Sequence, residues 1–213
     1  MPRRSRKQRK EAYRRAIALA RNRRNDEAIK LLGKAIILKP DWSLAYAARG
    51  RAHYQAKLYN EAIKNLDEAI RIGPAKAVWY GLRGLAYSYS GKHARAIEDY
   101  TRAVELSPEA AGHYNDRGWA YRELGRLDEA VADLSKAIAL APDHLKAYEN
   151  RALTYEKQKN YKGAIDDYTA AIQLHPTAWQ YQRRAEAKRA SGDPAGAEED
   201  VRRASQIGGH PSN

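Results

Sequence analysis

Five prolines stand 34 residues apart, at Pro40, Pro74, Pro108, Pro142 and Pro176, and whole columns of residues travel with them. Twelve residues before each proline stands an alanine: Ala28, Ala62, Ala96, Ala130, Ala164. Five residues before stands another: Ala35, Ala69, Ala103, Ala137, Ala171. Two before stands Leu or Ile: Leu38, Ile72, Leu106, Leu140, Leu174. A sixth unit follows with one residue deleted near its start, and it places Ala197, Ala204 and Ile207 in the same columns. A period of this length confines the chain to a row of small supersecondary units. None of them can bury its apolar face alone, and each must stack on a neighbour.

Each unit reads as two helices. In the second unit Tyr46, Gly50, Ala52 and His53 mark a first helix over roughly 43–56. Ala62, Ile63, Leu66, Ala69 and Ile70 give the i, i+3/i+4, i+7 spacing of a second over roughly 60–73. The proline that follows ends the second helix. Small residues recur where the two helices must approach, as Gly50, Gly84 and Gly118 and as Ala16, Ala152 and Ala185 on the first helices. A mid-helix glycine costs about 1 kcal/mol relative to alanine, so its recurrence predicts a close contact that more than recovers the loss.

Gly118 and Tyr121, then Ala130, Leu134, Ala137 and Pro142, have equivalents in the other units. This pattern resembles the tetratricopeptide repeat family over almost the whole chain. The resemblance implies an all-α fold, an α-solenoid forming a right-handed superhelix of about six helix-turn-helix repeats with a concave inner groove. The expected division is a basic arm at 1–10 and repeats at 7–40, 41–74, 75–108, 109–142, 143–176 and 177–213. The end units are expected to act as caps. The first has Ala12 where later units have tyrosine, and the last has Lys188, Glu198 and Ser205 where inner units are mostly apolar. Some members of the family grip a C-terminal carboxylate with Lys and Asn on successive first helices. The columns that should supply those residues read Ala47, Arg51, Leu82, Gly112 and Asp116, so chaperone-tail binding is not expected.

One column departs from the family's commoner leucine: Arg15, Arg49, Arg83, Arg117, Arg151, Arg184. The second helices of the last four units carry Asp99, Asp133, Asp167 and Asp200 at matching offsets. An Arg–Asp pair within each of these four repeats, bridging its two helices, is the expectation. Such pairs set helix register more than they add stability.

The candidate site comes from columns that vary between units, since constant columns build the stack. Trp119 lies in one of them, with Ile17, Arg51, Leu85, Leu153 and Glu186. At 100° per residue it falls on a face away from the stripe of Tyr114, Gly118 and Tyr121. The resemblance implies that this face lines the groove; the alternative is that Trp119 packs between neighbouring first helices. The groove set is an apolar centre of Leu44, Val78, Leu82, Leu85, Tyr89, Trp119 and Leu153, with Arg51, Tyr54, Asn115, Arg122, Glu123, Glu149 and Lys157 as polar contacts. Gly81 and Gly112 would leave room for a ligand backbone. An apolar concavity with a few placed polar groups suits a peptide, and Trp, Tyr and Arg commonly carry binding energy.

Charge is lopsided. Residues 1–24 hold eleven Lys/Arg against Glu11 alone, so they carry +10 of a net +13. Arg3, Arg4, Arg6, Lys7, Arg9, Lys10 and Arg14 could hold nucleic acid or an anionic surface, serve as a nuclear or organellar address, or simply keep the end cap solvated. Apolar stretches such as "AIALA" at 16–20 are too short for a membrane span or a secretory signal, and cysteine is absent, so a cytoplasmic protein without disulfides is expected. The six histidines occupy different columns without metal-ligand spacing. "GLAYSYSGKH" at 84–93 has six residues between its glycines and no Ser/Thr after Lys92, which is not a phosphate loop. No catalysis, cofactor or metal is expected. The favoured reading is a scaffold or adaptor that takes a peptide or partner helix in its groove. Nucleic-acid binding through the basic segment is the alternative, and self-association through the groove or the caps is compatible with either.

Overall fold

The computed structural model describes residues 3–208, with side chains described from residue 7 to 207. Among the described residues the only regular secondary structure is α-helix. Residues Met1–Pro108 and Glu109–Asn213 form two compact units. The first contains α1 (Arg3–Arg21), α2 (Asn25–Leu38), α3 (Ser43–Gln55), α4 (Tyr59–Ile72), α5 (Ala77–Tyr89) and α6 (His93–Leu106). The second contains α7 (Ala111–Glu123), α8 (Leu127–Leu140), α9 (Leu145–Lys157), α10 (Tyr161–Leu174), α11 (Ala178–Ala190) and α12 (Pro194–Gly208). The helices expected near 43–56 and 60–73 thus end within one residue of those limits. The basic segment from Arg3 onward is part of α1 rather than a separate arm.

Local chemistry sets both ends of each repeat. The second helices α2, α4, α6, α8 and α10 all stop two residues before their proline. The intervening residue cannot stay helical beside the proline ring, and Lys39, Ser107 and His175 have φ near −150°. The turn between the two helices of a repeat closes the same way six times. Leu58 N–H donates to His53 O (2.9 Å) and Lys57 N–H to Tyr54 O (2.9 Å); Arg126 N–H donates to Tyr121 O and Gly125 N–H to Arg122 O (both 3.0 Å). This 6→1 and 5→2 pattern is a Schellman cap, which needs one residue with positive φ. Gly91, Gly125 and Gly192 fill that position, but so do Arg23, Lys57 and Lys159, at φ near 60°. A side chain there costs roughly 1 kcal/mol. Lys159→Gly is therefore expected to stabilise the chain by up to about 1 kcal/mol, read as a higher midpoint in urea.

In each unit the two helices of a repeat pack antiparallel, and second helices pack on the next first helix of the same unit, α2 on α3, α4 on α5, α8 on α9 and α10 on α11. First helices touch one another as well, α1 with α3, α3 with α5, and α7 with α9. The alanine columns Ala28, Ala62, Ala96, Ala130 and Ala164 are fully buried. Beside them the column Leu32, Leu66, Tyr100, Leu134, Tyr168 fills the space inside each pair. The expected close approach is present. A Cβ on Gly50 would lie 2.9 Å from Leu66 Cγ, on Gly84 2.7 Å from the Tyr100 ring, and on Gly118 2.7 Å from Leu134 Cγ.

Candidate functional site

The arginine column is structural, as its recurrence suggested. Arg83 donates from Nε and Nη2 to both carboxylate oxygens of Asp99 (2.8 and 2.6 Å). Arg117 does the same to Asp133, Arg151 to Asp167 and Arg184 to Asp200. In the second repeat Asn65 replaces the acid and accepts from Arg49 Nε at 2.6 Å. Three of these guanidinia, on Arg83, Arg151 and Arg184, have a further task that spacing within one repeat could not reveal. Their Nη1 atoms reach the preceding second helix, where Arg83 meets Asp67 (2.7 Å), Arg151 meets Ser135 Oγ and Arg184 meets Thr169 Oγ1 (both 2.9 Å). One arginine thereby ties three helices. Arg49, Arg83, Arg117 and Arg184 also lie 5.4–5.8 Å from the ring of the tyrosine three residues earlier. That occupies the tyrosine column within the stack.

In the first unit the groove columns converge. Tyr13 and Ile17 of α1, Leu44, Ala47, Ala48 and Arg51 of α3, and Val78, Trp79 and Leu82 of α5, with Lys76 just ahead of α5, line a cleft of about 230 Å³. Leu44 and Val78 at its edges are 41% and 48% exposed, well above what a packing role requires. Leu82 and Leu85 are half-buried and Arg51 is exposed. Tyr54 and Tyr89 meet Tyr59 in an aromatic cluster with centroids 5.6–6.0 Å apart, at the C-terminal ends of α3 and α5. Tyr13, Ile17, Ala47, Ala48, Lys76 and Trp79 line the cleft without having stood in the expected groove set. Tyr13 shares its column with the uninformative Ala47 and Gly81, and Lys76 lies outside any helix.

In the second unit Trp119 and Leu153 are half-buried and Lys157 is exposed. Three expected contacts are placed otherwise. Asn115, Arg122 and Glu149 are all buried, at 8%, 8% and 6% exposure. In this unit these side chains turn toward neighbouring helices, where each finds an internal partner. Asn150 donates to Asn115 Oδ1 (2.9 Å), and Arg122 donates to Asn150 Oδ1 (3.2 Å) and to Glu123 Oε1 (3.1 Å). Glu149 accepts from Gln180 of α11 (2.9 Å) and from Lys146 (2.6 Å). Gly81 is buried too, whereas a Cβ on Gly112 would meet open space. The open face is narrower than the sequence implied, because a column one step away on a helix wheel already faces the adjacent helix.

Trp119 is neither sealed in the core nor fully exposed. Truncation of a fully buried tryptophan costs 3–5 kcal/mol, so Trp119→Ala should cost about 2 kcal/mol in a urea melt. Asp116 sits beside it on α7. Burial pushes its carboxyl up to about 6, against a hydrogen bond from Asn115 Nδ2 (3.1 Å) that pulls it down. A carboxyl titrating higher in the folded chain than in the unfolded one costs stability as pH rises from about 4 to 6, and the cost is full above that. Asp116→Asn should therefore raise the urea midpoint at pH 7.5 by up to about 3 kcal/mol of stability, and leave it unchanged near pH 3.5.

Lys7, Lys10 and Arg14 are exposed on α1, and Arg9 lies 5.9 Å from the Trp42 ring. The side chains of Arg3, Arg4 and Arg6 fall outside the described residues. The glycine-flanked stretch 84–93 lies across the end of α5 and its Schellman turn. Among the described residues no three His, Asp or Glu side chains converge as metal ligands, and no helix is long and apolar enough to cross a membrane.

No curated protein matches the chain by sequence. Its fold is that of several solved structures. YrrB, described as a tetratricopeptide protein with an unusual peptide-binding site, superposes with a TM-score of 0.70 at 23% identity, over 84% of this chain and 90% of that one. The C-terminal part of a repeat protein from Cytophaga hutchinsonii gives 0.80 at 22% identity, over 92% and 80%. PilW, a type IV pilus biogenesis factor, gives 0.84 at 16% identity, over 96% and 95%. These likenesses show the fold alone. The tetratricopeptide repeat sequence model matches residues 13–77, 82–144 and 115–178, most of the chain, and with the repeated helix pairs this establishes that the protein belongs to the tetratricopeptide repeat family.

Proposed function

We propose that the protein is a non-enzymatic interaction scaffold that receives a peptide or a partner helix on the open face of its first helices. The observation that carries this reading is the cleft of the first unit, where Leu44 and Val78 expose apolar surface beside Ile17 and Leu82. Apolar side chains in a concavity are available to exclude water from a ligand. Proteins of this family generally act as interaction scaffolds, and YrrB is described as having a peptide-binding site.

The test is a selection of displayed random dodecapeptides on the whole chain, followed by binding of the chosen peptides to Leu44→Gln/Val78→Gln protein. Both side chains are largely exposed, so the melt should shift by no more than about 0.5 kcal/mol, while the peptides should bind at least tenfold more weakly. Unchanged binding to the double variant would place the ligand elsewhere on the molecule and overturn this reading.

A further inference from the structure

The two units treat their charges differently. The first holds 24 Lys/Arg against 10 Asp/Glu, a net +14, and the second 15 against 16, a net −1. Several charges near the open face of the second unit are compensated internally: Lys146 meets Glu149, and Arg183 meets Glu156 and Glu186. The cleft between α1, α3 and α5 is the opposite case. Among the described residues no acidic one lines it, and the two cations that do, Arg51 and Lys76, are exposed. Among the described residues neither has a carboxylate partner; Lys76 only overlies the Trp79 ring at 5.2 Å. Lys10, also exposed, stands one turn before Tyr13 on the same face of α1, extending the positive rim. Glu11 falls about 200° away from Tyr13 around that helix.

From this we infer that the cleft of the first unit takes an acidic, apolar peptide segment, with its aliphatic side chains against Ile17, Leu44, Val78 and Leu82 and its side-chain carboxylates at Arg51, Lys76 and Lys10. The inference rests on the scaffold reading and adds the partner's chemistry to it. Unpaired cations around an apolar floor lower the affinity of basic segments and speed the approach of acidic ones.

The dodecapeptides selected above supply the probe. Each is resynthesised with blocked termini, so that only side-chain charge is read, and again with every Asp and Glu changed to Asn and Gln. The selected set should be rich in Asp and Glu. The neutral forms should bind about tenfold more weakly at ~50 mM salt, and the gap should close at ~500 mM. Lys10→Gln/Arg51→Gln/Lys76→Gln should bring the acidic forms down to the affinity of the neutral ones and leave the neutral ones unchanged. Equal binding of both forms, with loss in Leu44→Gln/Val78→Gln, overturns the inference and leaves the scaffold reading standing. Peptides indifferent to Leu44 and Val78, or no peptides selected at all, overturn both. An oligothymidylate of about 20 nucleotides that displaces the peptides and itself needs Arg51 and Lys76 assigns these cations to nucleic acid and overturns the inference.

Discussion

Arg151→Met is expected to cost about 3–5 kcal/mol, among the largest losses available from a single polar position. The substitution keeps much of the side-chain volume and removes three hydrogen bonds, two to Asp167 (2.8 and 2.7 Å) and one to Ser135 (2.9 Å). The loss itself is mostly what remains behind. Asp167 is 4% exposed, and without the guanidinium its carboxylate is buried with no counter-charge bonded to it. Burial already pushes that carboxyl up, and the bonds and charge of Arg151 pull it down. With only burial left, the carboxyl titrates higher in the folded chain. Its penalty therefore grows as pH rises, so the loss should be larger at pH 8 than at pH 5. The double variant Arg151→Met/Asp167→Leu should recover most of the stability, because an apolar pair needs no desolvation to be repaid. Urea melts of the three variants at both pH values measure the whole set. A loss below about 1 kcal/mol for Arg151→Met would show the bridge to be ornamental.

Gly118→Val is expected to cost about 3 kcal/mol, and Gly118→Ala much less. A Cβ at this position meets Leu134 Cγ at 2.7 Å and the Ala130 carbonyl at 3.2 Å, in a pair whose leucine is fully buried. Overpacking of that kind costs about 1–3 kcal/mol, and the branched side chain adds lost rotamer freedom in a helix. Alanine is gentler for a reason visible in the same chain. Ala16 and Ala152 occupy the equivalent position opposite Leu32 and Tyr168, so a helix pair can open enough for one methyl. Alanine also regains roughly 1 kcal/mol of helix propensity. Thermal or urea melts of the two variants decide the point, and valine tolerated as well as alanine would mean that the contact is slack.

The Schellman turns show how a legible signal can still be missed. Gly91 and Gly125 stand 34 apart and Gly192 falls in the same column after the one-residue deletion, yet the same left-handed position carries Arg23, Lys57 and Lys159 elsewhere, which hides the column from composition. The backbone at those three lysine and arginine sites is imposed by helices packed on either side. The arginine column was legible as a pairing within each of the last four repeats, because both partners recur there at an offset of 16. Its second bond, to Asp67, Ser135 or Thr169, was not legible, since the acceptor changes from unit to unit.

The candidate site divides along the same line. Leu44, Val78, Leu82 and Arg51 could be drawn from the sequence, because variation between units of one chain separates free columns from packed ones. Asn115, Arg122 and Glu149 passed the same filter and are nonetheless buried. Variation alone cannot tell a residue that meets a ligand from one that meets an equally variable neighbour in the next helix.

By itself the sequence determined the helix pairs, their ends and the identity of the residues between them, because proline geometry, small-residue spacing and the 3.6-residue turn act locally and recur every 34 positions. Only the tertiary structure decided which charges remain unpaired and which polar groups are satisfied. Those outcomes depend on the angle at which one helix meets the next, a sum over contacts from several repeats that no single column records.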